Sequence, residues 1–209
     1  IMTLVSLAIA APVGIFAAIF LVEYAKKGSR FVKLIRITAE TLSGIPSIVY
    51  GLFGMLFFVT ALHWGMSLLS GALTMVIMVL PLIMRTAEEA LKSVPDSYRE
   101  ASFGLGAGKL RTIFTIVLPS AVPGILAGVI LAIGRVVGET AALLYTSGTV
   151  AAVPNSLMGS GRTLALHMYV LSSEGLHVNQ ASATAVVILA FVLVINFLSG
   201  AIAKRIAKG

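Results

Sequence analysis

The most constraining feature of this sequence is the length of its uncharged stretches. Residues 2–22 contain no Asp, Glu, Lys or Arg, and neither do residues 41–84. A helix of about 20 apolar residues crosses the hydrocarbon core of a bilayer. Residues 2–22 therefore predict one membrane span, whereas residues 41–84 are too long for a single crossing.

The second uncharged stretch is interrupted by a His-Trp-Gly sequence at 63–65. We predict that this break joins two antiparallel spans, at about 45–62 and 67–84. Trp64 would then lie at the membrane interface, where indole rings are enriched.

Composition supports a membrane protein and excludes several other classes. The 209 residues are 58% hydrophobic and only 11% charged, with a mean hydropathy of +1.04, whereas soluble domains are about 25% charged. The net charge of +7 does not indicate nucleic acid, because the basic residues adjoin apolar spans and do not alternate with aromatic ones. The absence of Cys excludes disulfides and thiolate metal sites, and we expect no metal or cofactor. Because residue 1 is Ile, we also expect an incomplete or processed chain.

The rest of the chain predicts two more spans and sets their orientation. One helix begins at Pro119 or Pro123 and runs to about residue 144, and the last span covers about 183–203. Residues 23–40 read as an amphipathic interfacial helix, and residues 145–182 as an extracytoplasmic loop with a short helix near 164–171. Thirteen of the fifteen Lys and Arg residues lie on one side of these spans. By the positive-inside rule that side, with the C-terminus, is cytoplasmic.

The long polar passage at 85–111 carries the clearest motif. It contains Glu100-Ala101-Ser102, then three residues, then Gly106, and after nine more residues Ile-Val-Leu-Pro at 116–119. This pattern resembles the EAA loop of ABC-importer permeases, the cytoplasmic element on which the ATPase subunit pulls. Ser102 stands where a second Ala is common, and it is small enough to leave helix packing intact. The alternative is an ordinary solvated loop.

The same passage predicts two short helices. A break at Pro95 separates them, Asp96 can cap the second, and glycines at 104, 106 and 108 end it. The segment 104–109 also looks like a phosphate-binding loop. However, Phe103 replaces its first Gly, and Leu110 replaces the Ser or Thr that binds magnesium. We therefore predict that the ATPase is another polypeptide.

Two ionisable residues lie within the predicted fourth span. Arg135 and Glu139 are four residues apart, so on one continuous helix they share a face and can pair. Each costs about 2.5–3.5 kcal/mol inside a bilayer and is expected to face the interior of the bundle. Gly134 and Gly138, like Gly124 and Gly128, form small-residue stripes that allow close helix packing. The guanidinium suits an oxyanion, while a purely structural ion pair explains the residues equally well.

Two further motifs narrow the resemblance. Arg-x-x-Gly-Glu-Thr-Ala at 135–141 and Leu-Ser-Gly-Ile-Pro-Ser-Ile-Val-Tyr-Gly-Leu-Phe at 42–53 resemble the phosphate ABC-transporter permeases, nearer the PstA-type than the PstC-type subunit. This implies one all-helical permease domain over 1–209 with the type I importer (MetI-like) fold. About five membrane helices lie in this chain, and six are expected in a full-length subunit.

The resemblance also implies roles for individual residues. Arg135, Glu139 and Arg85 would belong to the substrate path. The residues expected to couple the chain to the ATPase are Glu100, Ala101, Ser102 and Gly106.

The function implied is phosphate import by alternating access across the cytoplasmic membrane, with no catalysis in this chain. The implied partners are an ATPase dimer, a PstC-type permease, an extracytoplasmic phosphate-binding protein and membrane lipid. Three alternatives stay open. In the first, the substrate is another oxyanion such as sulfate or molybdate. In the second, the chain is an ion-driven carrier with Arg135 and Glu139 as a proton relay. In the third, it is a purely structural subunit.

Overall fold

The computed structural model describes residues 1–26, 28–173, 175 and 177–206, with side chains up to 201. Within these residues the chain forms helices and no strands, which confirms the all-helical prediction. Lys27 and Lys208, which the charge count includes, lie outside the described residues. The helices are α1 (Met2–Tyr24), α2 (Arg30–Ser43), α3 (Ser47–Ala61), α4 (Leu68–Ser93), α5 (Asp96–Gly104), α6 (Lys109–Gly138), α7 (Ala141–Thr146), α8 (Leu164–Ser173) and α9 (Val178–Ile206).

Four of these helices, α1, α4, α6 and α9, are long and apolar enough to cross a membrane. A fifth crossing is available if α2 and α3, which meet at a bend of 101°, count as one span. The prediction of about five spans is therefore confirmed by length and composition. The short helix expected near 164–171 is present as α8.

Several predicted boundaries are wrong in the same direction, because helices continue past the apolar residues that revealed them. The third span was placed at 67–84, but α4 continues to Ser93. The fourth was expected to begin at Pro119 or Pro123, but α6 begins at Lys109 and includes both prolines. Similarly, the final helix begins at Val178 and not near 183.

The amphipathic helix is confirmed with a shifted start. α2 begins at Arg30 because Glu23 and Tyr24 belong to the last, π-helical turn of α1. Its end is fixed by the bend into α3. Pro46 there has no N–H to continue a helix, and the Tyr50 hydroxyl donates to the Leu42 carbonyl at 2.7 Å.

α4 is the central helix of the bundle. Of its most apolar 18 residues 61% are buried, against 6% for α9. α4 packs between α1 and α6, and the core divides into two clusters along its length. One cluster, with Leu91 and Val94, lies at the end that carries α5, which we call the α5 end. The other, with Met75 and Val79, lies toward the opposite end.

Small residues set the approach of α6 to α4. A Cβ atom on Gly124 would lie 2.7 Å from the Ala90 Cβ, and one on Gly128 would overlap the Thr86 side chain. This confirms close packing at the predicted stripe of Gly124 and Gly128. For Gly134 and Gly138, no described atom other than the adjoining backbone of α6 lies within 4 Å of such a Cβ, so no other described helix packs closely on this second stripe.

Candidate functional site

The side chain of Arg99 attaches α5 to the rest of the bundle. Its Nε and Nη2 donate to Glu23 Oε1 at the end of α1, at 3.1 and 2.7 Å. Its Nη1 and Nη2 also donate to the carbonyls of Val94 and Leu91, at 2.8 and 3.0 Å. Both charged side chains are largely buried, with 13% and 8% exposed for Arg99 and Glu23. One guanidinium thus joins α1, the end of α4 and α5, and we call this group the Arg99 clamp.

Asp96 takes part in the clamp but does not cap α5. The predicted break at Pro95 is present, yet Pro95 itself occupies the N-cap position and Asp96 is the first helical residue. The Asp96 carboxylate accepts from Arg99 Nη1 at 3.2 Å. The expected helix before the break is also not separate, since residues 85–93 are the last turns of α4.

A second charged group lies beside the clamp. Glu88 on α4 is buried and lies 2.6 Å from Arg36 Nη2 on α2 and 2.7 Å from Lys92 Nζ. Arg85 belongs to the same region, where it lines a cavity of about 180 Å³ with these three side chains. The predicted path residue Arg85 is therefore near the α5 end, where three carboxylates, those of Glu40, Glu88 and Glu89, line the same cavity.

The predicted coupling residues occupy α5 and the turn that follows. Glu100 and Ala101 are exposed, and Gly106 forms the turn with a φ of 83°, a conformation that favours glycine. Ser102 is buried, and its Oγ lies 2.8 Å from Thr112 Oγ1 on α6. Serine in place of alanine thus adds a hydrogen bond across the turn, which the sequence interpretation of Ser102 as merely small did not include.

Large apolar side chains are exposed on α5 and in the turn after it, although this segment lies outside the apolar spans. Tyr98 and Phe103 are about half exposed, and Leu105 is almost fully exposed. Tyr98 and Leu105 line an open groove of about 510 Å³ that continues to Arg111 and Ile116 at the start of α6. This surface is large and uncovered within the described chain, as expected of a contact with another protein.

The other two predicted path residues lie deeper. Because α6 packs on α4 with Gly128 against Thr86 and Gly124 against Ala90, the two helices are antiparallel, and Arg135 is level with residue 79. Arg135 and Arg85 are then separated by about six residues, or ~9 Å along the axis. The structure places them at successive depths and not in one cluster.

Arg135 and Glu139 do not share a helix. α6 ends at Gly138, and Glu139 has extended backbone with ψ of 131°, so the prediction of one helix to residue 144 is wrong. The Glu139 carboxylate accepts from the Ala142 amide at 3.1 Å, which satisfies an unpaired N–H at the start of α7. Among the described residues, Arg135 has no carboxylate within 4.0 Å, so the predicted pair is not formed.

Another arginine, in the loop after α7, lies near the same end of α6. Arg162 lines a cavity of about 320 Å³ together with Val136 and Val137, the residues that follow Arg135. Its Nε atom is buried and has no hydrogen-bond partner in the described structure. The sequence placed Arg162 only in an outer loop, and no local pattern links a loop residue to a helix 25 positions away.

Comparison with known proteins agrees with this architecture. Residues 10–208 match the family of binding-protein-dependent transport system inner membrane components. The chain belongs to this family. It is 37% identical over 185 residues to the probable ABC transporter permease protein YqgI of Bacillus subtilis, covering 82% of this chain and 63% of that protein. It is 42% identical over 144 residues to the phosphate transport system permease protein PstA 1 of Mycobacterium tuberculosis H37Rv, covering 69% and 46%.

Solved structures of this kind of permease share the fold. A chain of the methionine ABC transporter MetNI in an inward-facing conformation aligns with a TM-score of 0.79 at 19% identity, covering 98% of this chain and 91% of that chain. A chain of a bacterial alginate ABC transporter aligns with a TM-score of 0.71 at 16% identity, covering 98% and 76%. The MetI-like importer-permease fold is therefore confirmed. The chain spans about half to two thirds of the length of the two relatives above.

In this member of the permease family, the two motifs that suggested phosphate transport touch each other. A Cβ on Gly51 of α3 would lie 3.1 Å from the carbonyl oxygen of Ala141, the last residue of the second motif, and 2.8 Å from the Cα of the following Ala142 in α7. Only glycine allows so close an approach. The contact was missed because residues 42–53 and 135–141 are distant in sequence, and a single sequence gives no sign of long-range pairs.

Proposed function

We propose that this chain is the membrane-spanning permease subunit of an ATP-driven importer of inorganic phosphate. The identity to phosphate transport system permeases supports the substrate, as do the motifs at 42–53 and 135–141. The function is translocation, without a catalytic site or cofactor in this chain. The C-terminus and the α5 end face the cytoplasm, in agreement with the charge distribution.

The observation that carries the proposal is the way α5 is held. The helix is fixed to α1 and α4 by the Arg99 clamp, yet it leaves Tyr98, Phe103 and Leu105 uncovered. A projecting helix on a rigid attachment can receive a force from a partner and pass it to the bundle. The partner is a dimeric ABC ATPase whose surface receives α5, and Glu100, Ala101, Ser102 and Gly106 lie in this contact.

The substrate path runs past Arg135 and, nearer the cytoplasm, Arg85. Arg135 can offer planar, bidentate donors to an oxyanion because no described carboxylate lies within 4.0 Å. Glu139 acts in the path by holding α7 in place at the end of α6. In alternating access, movement of α5 changes the side of the membrane from which the substrate can reach Arg135.

The remaining partners follow from the same role. A homologous PstC-type permease completes the pathway, and the apolar surface of α9, little of which is buried in this chain, is available to it and to lipid. An extracytoplasmic phosphate-binding protein delivers substrate to the 145–182 loop.

Two other functions are separable from this one. A sulfate or molybdate permease would use the same arginine, so only substrate competition distinguishes it. An ion-driven carrier with an Arg135–Glu139 proton relay is less well supported, because the Glu139 carboxylate bonds to the Ala142 amide.

Uptake of labelled phosphate by cells that carry the complete transporter tests the proposal. Wild type is compared with Arg135→Gln and with Lys33→Gln, a matched loss of one exposed positive charge on α2, at equal membrane abundance. We expect Arg135→Gln to abolish uptake and Lys33→Gln to leave it unchanged. Excess sulfate or molybdate should not compete, and uptake should stop when ATP hydrolysis is blocked. Unchanged uptake in Arg135→Gln, competition by either anion, or uptake that survives without ATP hydrolysis would each reject part of the proposal.

A further inference from the structure

A basic cavity at the α5 end has no role in the proposed transport path. It has a volume of about 540 Å³, within the range of roughly 300–1,000 Å³ typical of small-molecule sites. It lies between α1, α2, α4, α5 and α6. Five basic side chains line it. The segment after α1 and the helices α2, α4, α5 and α6 each contribute one: Lys26, Arg36, Lys92, Arg99 and Lys109.

The carboxylates nearby do not balance these five charges. Glu23 and Asp96 also line the cavity, and both bind Arg99. Glu88 lies behind the wall and pairs with Arg36 and Lys92 together. Five cations therefore face three carboxylates, and the cavity has an excess of positive charge.

The excess is concentrated on two lysines. In the described part of the chain, no carboxylate lies within 4.0 Å of the amino group of Lys26 or Lys109. Lys109 is held over the Tyr24 ring, with its Nζ 4.8 Å from the ring centroid, a cation–π contact that positions the ammonium without neutralising it.

The cavity lies beside a helix with the composition of one at the membrane surface. Its wall includes the apolar side chains of Leu21, Val22 and Val32 as well as the lysines. α2 exposes Phe31, Leu34 and Ile37 on a helix that also carries basic residues, the composition of a helix lying at a bilayer interface. Basic pockets between membrane helices on the cytoplasmic side are typical sites for phosphorylated head groups.

We propose that this cavity binds a phosphate-bearing anion and that Lys26 and Lys109 supply the charge that recognises it. Two sources offer this chemistry, the head group of an anionic phospholipid and free inorganic phosphate. Because the walls come from five helices, the bound anion stabilises the packing of α5 on the bundle. The site is separate from Arg135 and does not depend on which substrate is transported.

Thermal unfolding of the full-length protein, purified in detergent in the complex in which it is expressed and stripped of lipid, tests this site. One series adds phosphatidylglycerol, with phosphatidylcholine as the neutral reference. The other adds potassium phosphate, with potassium chloride at equal ionic strength as the reference. The variant is Lys26→Gln/Lys109→Gln. The matched control is Arg30→Gln/Lys33→Gln, which removes two exposed charges of α2 that do not line the cavity.

We expect one additive to raise the unfolding midpoint of wild type and control, and the affinity of the Lys26→Gln/Lys109→Gln variant to fall roughly 30-fold. A response to phosphatidylglycerol alone identifies a lipid head group, and a response to phosphate alone identifies the free anion. No response to either additive, or equal responses in all three proteins, overturns the proposal. Native mass spectrometry of bound phospholipid gives an independent count if a variant unfolds too early to titrate. Normal phosphate uptake with no anion binding would reject this site and leave the proposed transport function intact.

Discussion

The carboxylates of Glu23 and Glu88 at the α5 end have charged partners, whereas Arg135 in the membrane-spanning part of the bundle has none among the described residues. At the α5 end, Glu88 is buried and the side chain of Glu23 is largely buried, and each is paired with a basic side chain at 2.6–2.7 Å. Within the membrane-spanning part, Arg135 has no described carboxylate within 4.0 Å, and Glu139 bonds to backbone. Paired charges fix one arrangement of helices, whereas an unpaired arginine is available to a ligand. Glu23 and Glu88 therefore hold the structure, whereas Arg135 is the residue that we propose to contact the substrate.

The energetic reason is that removing one member of a buried ion pair destabilises the protein more than removing a charge that has no partner. A buried ion pair adds little net stability compared with apolar residues, but removing one member leaves an uncompensated charge and costs about 3–5 kcal/mol. A charge that has no partner in the folded chain has no such pair to break. Substitutions of the two kinds of charge should therefore differ in the stability that they remove, measured as thermal unfolding of the purified protein.

The largest loss of stability is expected for Arg99→Gln. The substitution leaves Glu23 buried without its cation and frees two carbonyl groups, so we expect a cost of about 3–5 kcal/mol. Arg99→Lys should recover only part of it, because an ammonium cannot reproduce the planar fork of a guanidinium. Arg30→Gln, which removes an exposed charge from α2, is the matched control. Equal midpoints for Arg99→Gln and Arg30→Gln would show that the clamp does not hold α5.

The next largest effect is expected for Gly51→Ala. The added Cβ meets backbone atoms of α7 at 2.8–3.1 Å, and overpacking of this kind costs about 1–3 kcal/mol. Gly134→Ala is the control, since no described atom other than the adjoining backbone of α6 lies within 4 Å of its Cβ and Ala is the better helix former. A protein that tolerates both substitutions equally would contradict the close α3–α7 contact.

The helices and their class could be predicted from sequence because a bilayer imposes a length and a polarity on each span. Residues 2–22 and 41–84 had to be membrane helices for that reason. The errors lie where hydropathy carries no information. Residues 85–93 are polar, yet they continue α4, because a helix that leaves the bilayer has no physical reason to end at its surface.

The sequence motifs of the candidate site could be recognised in advance, but the contacts between its residues could not. The spacing of Glu100 to Pro119 identified α5, and the resemblance identified Arg135. The pairing of Arg135 with Glu139 assumed helical spacing across Gly138, where the helix in fact ends. The Arg99–Glu23 pair joins residues 76 positions apart, and such a pair cannot be inferred from one sequence. Local sequence patterns therefore predicted individual helices, whereas ion pairs between distant residues could be found only from the three-dimensional structure.

A smaller effect is expected for Ser102→Ala. The substitution removes the hydrogen bond to Thr112, but the Thr112 hydroxyl still donates to the Gly108 carbonyl at 3.2 Å. We therefore expect a cost of about 0.5–1.5 kcal/mol, and none for Ser97→Ala on the exposed face of α5. The double substitution Ser102→Ala/Thr112→Val should cost less than the sum of the two single substitutions, because the bond between the two hydroxyls is lost only once. A fully additive double substitution would indicate that the two residues do not interact.

The smallest effect on stability is expected for Arg135→Gln, although its effect on uptake is expected to be complete. No described carboxylate depends on Arg135, and a charge within the bilayer itself costs about 2.5–3.5 kcal/mol on insertion scales. Its removal should therefore leave the unfolding midpoint unchanged or slightly higher. Glu139→Gln is the informative companion, because its amide oxygen can still accept from the Ala142 N–H and keep α7 in place. If Arg135→Gln instead lowers the midpoint as much as Arg99→Gln does, Arg135 is a structural residue. The distinction between a paired end and an available arginine would then be lost.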